Sequence, residues 1–307
     1  MDFSKEILKM KKEKNCVILS HFYQTADIQD IADFVGDSLQ LSQVASETAA
    51  DIILFCGVNF MAETAKILSP NKKVLLPEPE AGCSLADSCN VEDLKEFLKN
   101  YPDHTVVSYV NTSVGVKALT DICCTSSNAV SIIESLPENE KIVFLPDRNL
   151  GSYIKSITKR DMVVWDGACH VHEEFSVEKI IELKKKYPQA KVLAHPECKK
   201  TVLILADKTG STAALLEFSK KDECRQFIVA TESGILHQMQ LASPQKTFIP
   251  APPVDSTCGC NDCKYMKMIT LEKVYNTLKN ESPEVIIDFD LIEKAKKPIL
   301  RMMEMSK

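Results

Sequence analysis

Three short apolar runs in this sequence each end in the same kind of polar pair. His21 and Tyr23 follow Cys16–Ser20, Tyr109 and Asn111 follow Thr105–Ser108, and His195 and Glu197 follow Lys191–Ala194. Seventeen residues beyond the first member of each pair stands a hydroxyl, Ser38, Ser126 or Thr212, set in a small polar turn. Beyond the same members by 62, 60 and 68 residues come Cys83, Cys169 and Cys263. Pair, hydroxyl and cysteine recurring three times in one order indicate a triplicated unit.

Three thiolates meeting at one centre are one short of a closed structural zinc site. They suit a [4Fe–4S] cube with three irons on protein and a fourth left open as a Lewis acid. The hydroxyl turns read as cradles for phosphate or carboxylate, formed by helix-start N–H groups and a side-chain hydroxyl. Taken singly, each also reads as an ordinary helix cap. The paired imidazole, phenol and carboxyl groups, with His172 three residues after Cys169, offer acid–base chemistry on a small anionic molecule. Cys263 closes the tight cluster Cys258-Gly-Cys260-Asn-Asp-Cys263, a spacing that alone fits zinc or a redox pair as well. Gly82 and Gly167, just ahead of Cys83 and Cys169, fit a backbone turning closely around a bulky group.

Such residues need a frame that brings distant positions together. The apolar runs are strand-like: Cys16–Ser20, Asp51–Cys56, Val74–Leu76, Thr105–Val110, Ile142–Leu145, Met162–Trp165, Lys191–Ala194 and Phe227–Ala230. Helical spacing intervenes at Val91–Lys99, Ser176–Lys186 and Thr212–Ser219. This alternation predicts an α/β fold of parallel sheets covered on both faces. The repeat divides it into three similar three-layer units, expected at 1–85, 86–170 and 171–264, with 265–307 completing the first. Units of this size bury modest cores alone. Packed about a pseudo-threefold axis, they would bring the carboxyl ends of their strands, where ligands bind, to one central cavity.

Composition narrows the classes. The chain has 307 residues, 45% hydrophobic and 26% charged, which suits a globular protein. Its net charge of −6, without basic stretches interleaved with aromatics, argues against nucleic acid. No apolar run reaches the ~20 residues of a membrane span, and the lysine-rich start is unlike an export signal. The expectation is a cytoplasmic protein whose twelve cysteines are reduced. Cys16, Cys56, Cys123, Cys124 and Cys198 then read as structural thiols, outside the threefold register.

Longer blocks carry a resemblance. His21-Phe-Tyr23-Gln24, Ile28-Gln-Asp-Ile-Ala-Asp33 and Gly36-Asp-Ser38 are similar to the opening signature of the quinolinate synthase family. So are Pro146-Asp-Arg-Asn-Leu-Gly151, His195-Pro-Glu-Cys198, Gly210-Ser-Thr212, Ala230-Thr-Glu232-Ser-Gly234 and Thr270-Leu-Glu272, in the family's order. The resemblance implies three α/β domains around a [4Fe–4S] cluster on Cys83, Cys169 and Cys263. It implies condensation of iminoaspartate with dihydroxyacetone phosphate to quinolinate, phosphate and water in NAD biosynthesis. The imine would come from an aspartate oxidase or dehydrogenase. By position, His21, Ser38, Tyr109, Asn111, Ser126, His172, His195, Glu197, Ser211 and Thr212 would hold substrate, and Tyr23, Tyr109 and Glu197 would be catalytic. Ser84 and Lys264 stand where many members carry proline, and Cys258 and Cys260 are extra thiols. The competing classes are a zinc-dependent sugar-phosphate aldolase or isomerase and a non-enzymatic iron–sulfur sensor.

Overall fold

A computed structural model describes residues 2–255 and 262–306. Cys258 and Cys260 lie outside the described residues. The chain forms three parallel four-stranded sheets of one design. The first contains β1 (Cys16–His21), β2 (Phe34–Gly36), β3 (Ile52–Cys56) and β4 (Lys73–Leu75). The second contains β5 (Thr105–Tyr109), β6 (Ile122–Cys124), β7 (Ile142–Leu145) and β8 (Val163–Val164). The third contains β9 (Lys191–Ala194), β10 (Lys208–Thr209), β11 (Gln226–Ala230) and β12 (Thr247–Pro250). In each sheet the second strand in sequence lies at the edge, beside the first, giving the orders β2-β1-β3-β4, β6-β5-β7-β8 and β10-β9-β11-β12. The expected α/β class and threefold arrangement are what the structure shows.

The central strands β1, β3 and β7 are buried along their whole length, as parallel strands covered by helices on both faces must be. The edge strands β2, β6 and β10 escape a reading by apolar runs. They span two or three residues and pair on one side only, too short to show a pattern. An aspartate sets each of them in place. The Asp33 carboxylate accepts the Ile18 N–H at 2.8 Å, while its own N–H donates to the Ile18 carbonyl at 2.9 Å. Asp121 repeats this on Val106 (2.8 and 3.0 Å) and Asp207 on Val192 (2.7 and 2.8 Å). All three pairs are 15 residues apart. This is a fourth element of the repeat, absent from the spacing argument above.

Two of the helices that follow edge strands start on side-chain caps. The helix Ser38–Glu47 begins with a capping box, in which Asp37 accepts the Gln40 N–H and the Gln40 side chain accepts the Asp37 N–H. The helix Thr212–Lys221 is capped by Ser211, whose Oγ accepts the Ala214 N–H. The C-terminal segment, expected to complete the first unit, divides its packing. The helix Leu271–Asn280 lies on the N-terminal helix Phe3–Glu13, whereas Phe289–Glu304 packs on β6 and on the helices Val114–Lys117 and Asn59–Leu68. That last helix buries Ile292, Ala295, Ile299 and Met302, one stripe at helical spacing, in a core shared by the first and second sheets.

Candidate active site

The three sheets turn their carboxyl ends to one cavity. β1 ends at His21 and β5 at Tyr109, and His195 follows β9 directly. His21 pairs with Gly36, Tyr109 with Cys124 and Ala194 with Thr209. In this shared register the hydroxyls two residues beyond the partners of His21 and Tyr109 are Ser38 and Ser126, and the matching position in the third sheet is Thr212. All three line the cavity, with His21, Tyr23, Tyr109, Asn111, His172, His195 and Glu197. Ser211 is not among the lining residues. It occupies the register position of Asp37 and Thr125, and its Oγ accepts the Ala214 N–H as a helix cap.

Cys83, Cys169 and Cys263 line the same cavity as free thiols. Burial pushes the Cys83 thiol up to about 12 and raises Cys169 and Cys263 as well. Thiols buried in this way stay protonated unless a nearby positive charge favours the thiolate, so the three could serve as donors to a cation. Cys198, by contrast, is fully buried and donates to the Ala230 carbonyl at 3.3 Å. The glycines beside the ligands differ. Gly82 lines the cavity, whereas a side chain at Gly167 would meet the Pro146 carbonyl at 2.5 Å. Gly167 is therefore bare for packing against the turn after β7, not for space around a bound group.

The acid–base groups are held by one another. The Tyr109 hydroxyl donates to Glu197 Oε1 at 2.6 Å. His172 Nδ1 lies 3.0 Å from Glu197 Oε2 but off the line of a hydrogen bond. The His172 and His195 rings stack at 4.8 Å. Burial opposes ionisation of Glu197, but His172 and His195 in their protonated forms, together with the Tyr109 hydroxyl, outweigh it and hold the carboxyl below its ordinary range. Burial also lowers His21 and His195 to about 3, so both imidazoles are neutral at pH 7. Their tautomers follow from the backbone: the Tyr23 N–H donates to His21 Nδ1 at 3.2 Å, and the Glu197 N–H to His195 Nδ1 at 3.4 Å. Each Nε2 then carries the proton, and that of His195 points at Ser126 Oγ, 3.1 Å away. Tyr23 sits between Thr212 (3.1 Å) and Thr231 (2.7 Å), and burial raises its phenol well above 10.

A second set of residues lies outside the threefold repeat. Glu232, wholly buried, lines the cavity and gathers three donors: the Cys263 N–H (3.1 Å), the Lys267 ammonium (2.7 Å) and the Gly234 N–H (2.7 Å). Lys267 also donates to the Tyr23 carbonyl at 2.7 Å. The pair thus ties the segment carrying Cys263 to the first and third sheets. Gly234 permits the contact, since a side chain there would meet the Phe22 and Gln24 carbonyls at 2.7 Å. Ser84, next to Cys83, bonds the ring of His170, next to Cys169, at 2.7 Å. The available signal was Thr231-Glu232, a polar pair at the carboxyl end of β11, which has no cysteine or hydroxyl in register.

Fold and cavity together define a protein of three similar α/β units that share one polar cavity where they meet. The chain belongs to the quinolinate synthetase A protein family, whose model matches residues 5–304. It is 57% identical over 305 residues to a quinolinate synthase of Microcystis aeruginosa, covering 99% of this chain and 95% of the relative. A quinolinate synthase of Thermosynechococcus vestitus is 55% identical over 306 residues (100% and 96%), and one of a Synechocystis species 56% over 300 (98% and 94%).

Proposed function

We propose that this chain condenses iminoaspartate with dihydroxyacetone phosphate to give quinolinate, phosphate and water, as a step of NAD biosynthesis in the cytoplasm. The observation that carries the reading is that three free thiols, one from each repeat, face a single cavity together with the polar pairs and hydroxyls of all three repeats. Among the described residues no helix is long and apolar enough to cross a membrane.

Cys83, Cys169 and Cys263 would hold a [4Fe–4S] cluster through three irons. When bound, it supplies an open iron that polarises an oxygen or nitrogen of the substrate. The protein's own groups do the rest. Ser38 and Thr212 are the first residues of ten-residue helices, so their hydroxyls and the helix N–H groups receive phosphate or carboxylate. His21 and His195 donate from Nε2 without bringing charge, which suits binding an anion without trapping its product. Asn111 offers a buried Oδ1 that has no protein partner and is free to accept from a substrate N–H or O–H. Glu197, ionised and steadied by Tyr109, takes protons, and Tyr23, kept protonated, gives them. The imine is short-lived in water, which favours supply by an aspartate oxidase or dehydrogenase nearby.

The test is anaerobic: reconstituted protein is incubated with an iminoaspartate source and dihydroxyacetone phosphate, and pyridine dicarboxylate is sought by chromatography. Brown protein with about four irons per chain that makes this product supports the reading. Colourless protein that takes up no iron and forms no pyridine overturns it.

A further inference from the structure

One thiol of the cavity has a second possible set of partners. The Cys169 sulfur, a ring nitrogen of His172 and a carboxylate oxygen of Glu197 all lie within 4.8 Å of one another. His172 and Glu197 are 2% and 3% exposed. His172 Nδ1 is buried without a hydrogen-bond partner and stands 3.0 Å from Glu197 Oε2. Two ligands on a tetrahedral ion with bonds of ~2.0–2.1 Å are about 3.3 Å apart, so small movements would seat an ion between them. The surrounding bonds already orient these atoms. His172 Nε2 lies 3.0 Å from Thr231 Oγ1, and with its proton directed there the lone pair stays on Nδ1. Tyr109 occupies Glu197 Oε1 and leaves Oε2 to the cavity. One thiolate and one carboxylate would cancel the charge of a dication in this buried place. Cys83 and Cys263 are not part of the donor group.

We propose that, in the protein lacking its cluster, Cys169, His172 and Glu197 bind one divalent cation of the zinc class, in a three-ligand site with a fourth position open. Binding displaces the Cys169 thiol proton to solvent, and the sulfur bonds the metal in its place. Competition with cluster assembly for Cys169 rests on the function proposed above; the site itself rests on geometry alone.

The test uses full-length protein stripped of metal under anaerobic conditions, with Cys258 and Cys260 changed to serine to remove two further thiols. Zinc uptake is measured by metal analysis and competition with a chromophoric chelator, and cobalt serves as a coloured substitute. One metal per chain is expected, with a cobalt charge-transfer band of single-thiolate intensity. His172→Ala should weaken zinc binding at least ~10-fold. Cys83→Ala should leave zinc affinity unchanged while it blocks iron–sulfur reconstitution, and Cys169→Ala should lose both. Unchanged zinc affinity in His172→Ala, or a cobalt spectrum without a thiolate band, would overturn the proposal. Failure of unsubstituted protein to take up iron would instead count against the cluster, and the zinc titration would still decide this site.

Discussion

The Tyr109 hydroxyl reaches Glu197 across 2.6 Å although the two residues are 88 positions apart and belong to different sheets. This bond helps keep Glu197 ionised in a buried place. If Glu197 is the base proposed above, Glu197→Gln should lower kcat by ~10²–10⁴. Tyr109→Phe keeps the carboxylate but withdraws a donor that stabilises its charged form, so the Glu197 pKa rises. The acid limb of the pH–rate profile should therefore move to higher pH, with a smaller loss of rate at neutral pH. Steady-state rates across pH check both, and full turnover by Glu197→Gln would remove it from the role.

Stability of the cluster-free protein should depend on pH through His21 and His195. Both are lowered by burial from 6.5 to about 3. Between those limits the unfolded chain binds protons that the folded chain refuses, so stability is complete above pH 6.5 and is lost as pH falls toward 3. The slope should be about 1 kcal/mol per pH unit for each histidine. Urea midpoints measured from pH 7 to pH 5 should fall, and a His21→Asn, His195→Asn double variant should fall less steeply.

Lys267 neutralises Glu232 where Glu232 receives the Cys263 N–H. Lys267→Met should destabilise the protein by about 3 kcal/mol, the lower end for breaking a buried pair, because Lys267 is 22% exposed. Without its clasp, the Cys263 segment should expose its thiol. Alkylation of Cys263 in cluster-free protein, followed by peptide mass spectrometry, should be faster in Lys267→Met and in Glu232→Ala than in the parent chain. Equal rates would show that the segment is seated by other contacts.

The aspartate clasp predicts a purely structural effect. Asp121→Ala leaves the Val106 N–H without its acceptor and should cost ~1–3 kcal/mol. Asp121→Asn, which keeps an acceptor oxygen, should cost less. Iron content after reconstitution should be unchanged in both, since Asp121 is not among the residues lining the cavity. Denaturant unfolding and metal analysis separate the two effects.

The sequence carried most of the fold because the central strands are unbroken apolar runs and the repeat is marked by residue types that rarely align by chance. His21, Tyr109 and His195 were legible because β-register and sequence spacing are the same quantity when sheets share one design. Ser211 and Thr212 are adjacent hydroxyls, and only the strand pairing shows that Thr212 holds the register position of Ser38 and Ser126 while Ser211 caps a helix. Glu232 and Lys267 were not legible, since their role arises from a contact between β11 and a later segment that has no counterpart in the other units. Gly167 was visible as a glycine near a ligand, but its neighbour, the Pro146 carbonyl, is a matter of tertiary packing alone.

Each of the three sheets brings acid–base groups and a hydroxyl to the cavity, but no one of them brings a full complement. Ownership of the chemistry is therefore collective, and a severed third of the chain would carry ligands and donors with nothing to oppose them. The three repeats differ in what they bring, tyrosine in one place and glutamate in another, and so do not stand in for one another. A group seated on all three sulfurs would also be a rivet between the copies, so that holding it and holding the protein together would be one act.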